Sequence, residues 1–243
     1  MTTTYWGHPH KCAMPLKEVC LMTNGTGVKN SLIPLFKEPD VIYKAVDYYH
    51  PHFVHFCETL TDKKGARINP ALFIQVQSEL KKRFPEIGII RSIPVPPKVL
   101  SGGFPTLEIA AELEAVSDLF LTDTWLGEEP VEGYIGITGK TVDRRMAGRL
   151  VSQSRIPVIL AGGLSPFNVY DALIDTRAAG ADSCTHTNML DGNGNPVRFK
   201  KDFAKVQRFV AEVRRAGEAI GAGSDVCKAN RSDCALGASE VHM

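Results

Sequence analysis

Two adjacent glycines after an apolar run have the residue types and spacing of a ligand-binding turn. Residues 156–160 are apolar and partly β-branched, which fits a strand buried on both faces of a parallel sheet. Gly162 and Gly163 lack a Cβ, so an anion can approach their backbone N–H groups closely. Ser165 and Pro166 are typical of the N-cap and first turn of a helix, whose N-terminus also favours an anion. The stretch therefore predicts a phosphate site, although a tight turn from strand to helix explains the glycines equally well.

A second glycine-rich segment, GYIGITGKT, contains a Gly-Lys-Thr triplet of the kind found in nucleotide-binding P-loops. That loop requires a glycine five positions before Gly139, and Tyr134 stands there instead. The P-loop interpretation is therefore rejected.

The composition argues against several classes of protein. The net charge is +1 and the basic residues are dispersed, so we expect no nucleic-acid partner and no attraction to an acidic membrane surface. No apolar run approaches the roughly 20 residues that span a bilayer, and the N-terminal sequence lacks the apolar core of a secretory signal. The six cysteines form no CxxC pair and are expected to be reduced thiols. These features predict a cytoplasmic protein.

Strands and helices alternate along most of the 243 residues. Six stretches are predicted to be strands, namely residues 31–36, 52–60, 87–95, 118–125, 156–160 and 181–190. A helical spacing of apolar residues follows each of them, and the last helix is expected over 201–220. This alternation predicts a parallel sheet with right-handed crossovers, either a barrel or a doubly wound layer.

The two ends are expected to lie outside these units. Residues 1–15 show no strand pattern and are predicted to form an irregular segment. A short helix is expected after them, over 16–24. Beyond residue 220 large apolar residues are few, so 221–243 are expected to form a flexible tail. One domain over 16–220, with six βα units, accounts for the rest.

Asp123 is the acidic residue best placed for chemistry. It stands at the C-terminal end of the strand predicted over 118–125, where barrel enzymes keep their catalytic side chains. An aspartate that only caps the following turn is the alternative.

Several motifs give the chain a family resemblance. FLTDT, GITGKTVD, IPVILAGGLSPFNV, AGADSCTHTN and RFKKDFAKVQRFVAEVR occur in the order and at the spacing of the second half of phosphoribosylanthranilate isomerases. LIPLFKEPDVIYKAVDYYHPHFVHFCETL resembles that family's third strand, third helix and fourth strand. The resemblance covers residues 16–220 and implies an α/β fold, a TIM-type (βα)8 barrel. The barrel would be incomplete, with six recognisable βα units, because the family's first two strands and first helix have no counterpart.

The resemblance implies an isomerase of tryptophan biosynthesis that needs neither cofactor nor metal. The family converts phosphoribosylanthranilate into an aminoketose by an Amadori rearrangement. A general acid protonates the ribose ring oxygen so that the ring opens, and a general base then removes the C2 proton; each transfer is typically worth roughly a hundred- to ten-thousandfold. Asp123 matches the family's general acid.

The resemblance also implies substrate contacts in three loops. The phosphate-binding residues are Gly162, Gly163, Thr185, His186 and Thr187, and the substrate-loop residues are Gly139 and Lys140. His186 either adds a hydrogen-bond donor or is packed or solvated. Lys140 either approaches the substrate carboxylate or faces water.

The general base has no match in this sequence. The family's base is a cysteine in its first strand and a substrate-binding arginine follows its second, and neither motif occurs here. Cys12 lies in no predicted strand and Cys20 lies on the apolar face of a helix, whereas Cys57 and Glu58 end a strand and face the predicted barrel mouth. Two functions remain: an isomerase acting through Asp123, or a noncatalytic phosphosugar-binding or interaction protein on a degenerate barrel.

The missing strands also bear on assembly. A barrel without its first two strands has edges along residues 31–36 and 182–188, whose unpaired backbone groups invite another chain. The interior between those edges would be apolar and exposed. We therefore expect residues 1–15 to cover the gap, two chains to pair as a homodimer, or the protein to aggregate.

Overall fold

The structure, a computed structural model, describes the backbone of residues 2–3 and 13–236 and the side chains of residues 16–198 and 200–222. Within this part of the chain, no helix is both long and apolar enough to cross a membrane. Cys20, Cys57 and Cys184 are free thiols, and the other three cysteines lie outside the described side chains.

Seven parallel strands form one sheet, and each strand pairs with the next in chain order. They are β1 (Thr2–Thr3), β2 (Ser31–Pro34), β3 (Phe53–Phe56), β4 (Gly88–Val95), β5 (Leu119–Thr124), β6 (Val158–Leu160) and β7 (Gly180–Ala181). The longest pairing joins β4 to β5, from Ile90 opposite Leu119 to Val95 opposite Thr124. Sequential parallel pairing with helical crossovers is the arrangement that the alternating pattern predicts.

Helices follow the strands and cover the outer face of the sheet. They are α1 (Ala13–Met22), α2 (Pro39–Tyr49), α3 (Ala71–Arg83), α4 (Thr106–Leu113), α5 (Arg144–Gln153), α6 (Val169–Thr176) and α7 (Phe203–Leu236). Side chains alternate across each strand, so Phe56 packs with the residues of α2 and Ile93 with those of α4. The intervening residues, such as His55 and Ile90, line an inner cavity.

The sheet does not close into a complete barrel over the described residues. There, β7 pairs only with β6, and β1 pairs only with β2, through Thr2 opposite Ile33 and Thr3 opposite Pro34. The prediction of an incomplete TIM-type barrel is therefore confirmed, with a parallel strand in each of the six predicted regions, the last of them much shorter than predicted, and one additional strand.

The additional strand lies in the segment that was expected to be irregular. Thr2–Thr3 is too short to show an alternating pattern, so only its pairing with β2 reveals it. This pairing covers Ile33 and Pro34, and the edge expected along 31–36 is thus partly occupied. Residues 4–12 lie outside the described part of the chain.

The strand predicted over 181–190 is wrong for most of its length. Strand β7 ends at Ala181; a 3-10 turn follows at Thr185–Thr187, and Asn188–Leu190 (β8) then pairs antiparallel with Pro196–Lys201 (β9). The edge expected along 182–188 is consequently a turn and the start of a hairpin. The Asp191 carboxylate accepts hydrogen bonds from the backbone of Asn193 and Asn195, which closes the hairpin turn.

Three predicted helices have other boundaries in the structure. Helix α1 covers Ala13–Met22 rather than 16–24, so it begins within the segment that was expected to be irregular. Helix α6 begins at Val169 rather than Pro166, because the Ser165 amide donates to Asn168 Oδ1 at 2.8 Å in a preceding turn. Helix α7 continues to Leu236 rather than ending near residue 220. Residues 221–236 contain three alanines and no proline, so the helix can continue, although Gly221 and Gly223 make this segment a weaker helix former. The flexibility of the tail stays a prediction.

Candidate active site

An open cavity of about 730 Å³ lies on the inner side of the sheet, at the C-terminal ends of the strands. We call it the inner cavity. Its size is typical of a small-molecule site. Its wall brings together six of the eight residues predicted as general acid, phosphate-binding residues or substrate-loop residues, namely Asp123, Gly139, Gly162, Gly163, Thr185 and His186, and it also includes Cys57. Lys140 and Thr187 are not part of this wall.

Asp123 reaches the inner cavity because strand β5 alternates its side chains. The Thr122 and Thr124 hydroxyls instead donate to the carbonyls of Ala161 and Lys140, at 2.9 and 2.7 Å, which ties β5 to β6 and to the loop before α5. Burial and, second to it, the negative charge of Asp182 together raise the pKa of Asp123 to about 7. At neutral pH this carboxyl group is therefore in part protonated and can donate a proton.

A glycine-rich loop packs directly on the Asp123 carboxylate. A Cβ at Gly136 would lie 2.5 Å from Asp123 Oδ2, and the residue has φ +109°. The next residue, Ile137, has φ 62°, a strained value for a β-branched side chain. The Ile135 amide donates to the Cys57 carbonyl at 2.8 Å and so fastens the loop to the end of β3. Only glycine allows this close approach at position 136.

The two glycines after β6 adopt left-handed backbone angles, with φ +98° at Gly162 and +61° at Gly163. A Cβ at Gly162 would lie 2.5 Å from Thr124 Oγ1, and one at Gly163 would lie 2.7 Å from the Lys140 backbone. The protein itself thus requires glycine at both positions, independently of any ligand. Both residues still line the inner cavity, so their backbone can contact a substrate.

The turn after β7 contacts the glycine-rich loop that contains Gly136 and Gly139. His186 Nε2 lies 3.0 Å from the Gly139 carbonyl oxygen, within hydrogen-bonding distance. Thr187 is buried, and its hydroxyl contacts the Ser183 and Cys184 carbonyls at 3.2 Å. Thr187 therefore holds the turn together, whereas Thr185 and His186 face the cavity.

Two cations in the cavity wall were not assigned a role from the sequence. Arg198 and Lys201 belong to strand β9, and Lys201 Nζ donates to the Cys184 carbonyl at 2.7 Å. Their positive charges lie on the side of the cavity that holds Thr185 and His186. The DGNGN turn signal of the β8–β9 hairpin could have revealed this strand, but not its direction toward the cavity.

Cys57 and Glu58, which were expected to face the barrel mouth, occupy different surroundings, and the structure adds Cys184 and His55 to the wall of the inner cavity. Cys57 lines the inner cavity, but burial, with Glu58 and Asp123 nearby, raises the pKa of its thiol. The Glu58 carboxylate pairs with buried Arg91 at 2.7 Å and lies outside the inner wall. Cys184 also lines the cavity, and burial raises the pKa of its thiol. Burial lowers the pKa of His55 to about 3, and its Nε2 lies 2.8 Å from Ser92 Oγ.

Metal binding finds no support in the described side chains. Nowhere among them do three or more His, Cys, Asp or Glu residues gather closely enough to hold a metal ion.

Comparison with known sequences finds relatives named N-(5'-phosphoribosyl)anthranilate isomerase, although no family model matches the chain. Over 136 residues it is 33% identical to an N-(5'-phosphoribosyl)anthranilate isomerase of Methanothrix thermoacetophila, covering 56% of this chain and 54% of that protein. It is 34% identical over 142 residues to an isomerase of the same name from Methanosarcina mazei, covering 55% and 58%. The chain thus spans little more than half the length of these curated relatives.

Solved structures share the fold over most of the chain. A phosphoribosylanthranilate isomerase from Pyrococcus furiosus matches with a TM-score of 0.60 and 16% identity, covering 88% of this chain and 86% of that one. An isomerase in complex with reduced 1-(o-carboxyphenylamino)-1-deoxyribulose 5-phosphate matches with a TM-score of 0.58 and 16% identity, covering 84% and 80%. At these identities the structural likeness establishes the fold. The chain is thus similar in sequence to phosphoribosylanthranilate isomerases over part of their length, and it folds as an incomplete version of the TIM-type barrel that the solved structures share.

Proposed function

We propose that the protein is an isomerase that converts phosphoribosylanthranilate into carboxyphenylamino-deoxyribulose phosphate. One observation carries the proposal: Asp123, whose pKa is raised to about 7, lies in a substrate-sized cavity at the C-terminal ends of the strands. A general acid works best when its pKa is near the working pH, and this carboxyl meets that condition.

In the proposed reaction, Asp123 protonates the ribose ring oxygen. The C1–O bond breaks, the ring opens, and the anthranilate nitrogen becomes part of a Schiff base. Removal of the C2 proton then gives an enolamine, which tautomerises to the aminoketose. The Gly136 loop packs against the carboxyl group and adds to its burial, which is the main cause of the raised pKa.

The phosphate of the substrate is proposed to bind at the side of the cavity formed by Gly162, Gly163, Thr185 and His186. Arg198 and Lys201 support this assignment because they bring positive charge to the same wall. Gly139 contributes to the wall as part of the substrate loop. The exposed side chain of Lys140 lies outside the wall, which favours the interpretation that it faces water.

A noncatalytic phosphosugar-binding protein is the second candidate. It is favoured by the thiols of the inner cavity, Cys57 and Cys184, whose pKa values are raised rather than lowered. A neutral thiol is a poor base, so no described cysteine has the properties of the family's base. The general base therefore stays unassigned.

The proposed partners are a phosphosugar and a second copy of the chain, and the proposed location is the cytoplasm. A solved neighbour from Thermotoga maritima is named a dimeric isomerase, which supports the possibility of a homodimer here.

Growth complementation tests the proposed activity. A bacterium that lacks this isomerase should grow without tryptophan when it produces the parent chain, and should not grow when it produces Asp123→Asn at equal abundance. If the bacterium grows with neither the parent nor the variant, although both proteins bind ribose 5-phosphate, the result would support the noncatalytic alternative.

A further inference from the structure

Two carboxyl groups are found among the described residues that line the inner cavity, those of Asp123 and Asp182. Asp123 lies near the C-terminal end of β5, and Asp182 directly follows β7. The proposed function uses Asp123 as the acid and leaves the removal of the C2 proton without a named residue. Asp182 is therefore a candidate for this second proton transfer.

Strand pairing places the two aspartates at the same level of the sheet. Leu121 of β5 lies opposite Ile159 of β6, which in turn lies opposite Gly180 of β7. Residues two apart on a strand point to the same face, and both Leu121 and Ile159 line the inner cavity. Asp123 and Asp182 each follow this row by two residues, so they belong to the next row that faces inward.

A single strand separates the two aspartates. Because β6 lies between β5 and β7 and neighbouring strands are about 4.8 Å apart, the two backbones are roughly 10 Å apart. The Asp182 amide donates to the Leu160 carbonyl at 2.8 Å, which extends the pairing of β6 and β7 to this level. The residue between the aspartates in this row is Ala161, whose side chain is small. A sugar can therefore lie with one carboxyl group on each side of it.

The Asp182 carboxylate is free to accept a proton. The residue is exposed to the open cavity, and none of the described residues donates a hydrogen bond to its carboxylate or forms an ion pair with it. By contrast, the carboxylate of Glu58 pairs with Arg91. An accessible carboxylate without a bonded partner can contact a substrate directly.

The two carboxyl groups differ in which one ionises first. The negative charge of Asp182 helps to raise the pKa of Asp123, so Asp182 is charged while Asp123 still holds its proton. Desolvation in the cavity raises the pKa of Asp182 itself, and the positive charge of Lys201 opposes this effect. The same state of the protein thus offers one carboxyl group as an acid and the other as a base.

We propose that Asp182 is the general base of the isomerisation, an inference that rests on the proposed function. Its carboxylate takes the C2 proton, the C2–H electron pair forms the C1=C2 double bond, and the C1=N electron pair moves to the nitrogen. The Asp182 carboxyl group then gives its proton to C1. The C2 hydroxyl proton passes to the Asp123 carboxylate that ring opening left ionised, so both groups return to their starting states.

Two substitutions of Asp182 in the full chain test this role. Asp182→Asn and Asp182→Ala should keep ribose 5-phosphate binding but lose at least about a hundredfold in kcat. Formate, which is an ionised carboxylate at neutral pH, should restore part of the activity of Asp182→Ala. It should not restore Asp123→Asn, because it can replace a base but not an acid. Asp171→Asn, on the exposed side of α6, serves as the control and should leave kcat unchanged.

Deuterium at C2 of the substrate separates the two roles. Residual turnover by Asp182→Asn should be slowed by the deuterium, because removal of the C2 proton limits it. Residual turnover by Asp123→Asn should not be slowed, because ring opening limits it. Independently of turnover, Asp182→Asn should lower the pKa of Asp123, measured by carboxyl carbon NMR, whereas Asp171→Asn should not.

The outcomes distinguish the inference from the proposed function. If the parent chain turns over and Asp182→Asn stays within a few-fold of it, the assignment of Asp182 is overturned and the proposed function stands. The same holds if formate restores no activity or if deuterium slows both variants equally. A parent chain without turnover contradicts the proposed function and the assignment together.

Discussion

At the scale of single residues, the carboxyl group of Asp123 combines a catalytic advantage with a cost in stability. Its pKa of about 7 in the folded chain lies above the roughly 4 of an unfolded aspartate. Between these pH values the folded chain holds a proton that the unfolded chain has lost. The free energy of unfolding therefore falls as the pH rises from about 4 to about 7, and the loss is complete above pH 7.

Asp123→Asn should remove this pH-dependent penalty. At pH 8 we expect the variant to be more stable than the parent by on the order of 1–3 kcal/mol, and at pH 4 we expect the two to be alike. Urea unfolding at the two pH values measures the difference, and Asp47→Asn on the exposed side of α2 serves as the control. A stability gain of equal size at both pH values would contradict the raised pKa.

The Gly136 loop offers a matched pair of glycines for a second test. Gly136→Ala places a methyl group against the Asp123 carboxylate, whereas Gly133→Ala meets no atom within 4 Å, and both residues have positive φ. Each change should cost about 1 kcal/mol through backbone strain. Only Gly136→Ala should also shift the pKa of Asp123, measured by carboxyl carbon NMR. An equal response of Asp123 to both substitutions would show that the loop does not control its surroundings.

At the scale of elements, the sequence predicts those strands whose apolar runs are long. Strand β4 has seven consecutive buried residues, and four of the six residues of β5 are buried, so the positions of both strands are visible in the residues alone. Strand β7 has only two residues, Gly180–Ala181, and therefore shows no side-chain pattern. Strands β8 and β9 pair with an irregular register, which the sequence does not reveal. Pairing with neighbours, rather than local preference, determines these elements.

The same contrast applies to the site. Gly162 and Gly163 could be predicted because they follow a recognisable strand, and the structure explains them by their positive φ and close contacts. The contact of Gly136 with Asp123 is visible only in the structure. Arg198 and Lys201 could not be predicted as site residues, because their place in the cavity wall depends on how the β8–β9 hairpin folds back. Glu58 was expected to face the barrel mouth, but its carboxylate pairs with Arg91 of the neighbouring strand β4, and local sequence does not show such a pairing.

The β8–β9 hairpin should contribute to phosphosugar binding through Arg198. Arg198→Met removes a positive charge from the cavity wall, and we expect the Kd for ribose 5-phosphate to rise at least about tenfold, in line with a charge-assisted hydrogen bond. Calorimetry measures the Kd, with Arg149→Met on the exposed side of α5 as the control. Unchanged affinity in Arg198→Met would remove the hairpin from the proposed phosphate subsite.

At the scale of the whole molecule, the open edges of the sheet bear on assembly. Among the described residues, β7 has no partner on its outer side, and β1 occupies only two positions of β2. Unpaired edges favour association, so we expect a dimer or larger species by light scattering after size exclusion. A stable monomer in which amides of β2 and β7 exchange as slowly as those of β5 would contradict this expectation.

Turnover of phosphoribosylanthranilate is the most direct test of the central claim. The substrate is fluorescent and the signal is lost on rearrangement, so the decay can be followed continuously. We predict that the parent chain accelerates the decay, with a rate that falls above pH 7 as Asp123 ionises, and that Asp123→Asn binds ribose 5-phosphate normally but loses at least a hundredfold in kcat. A parent chain that leaves the decay at its uncatalysed rate, or an Asp123→Asn variant within a few-fold of the parent, would contradict the account.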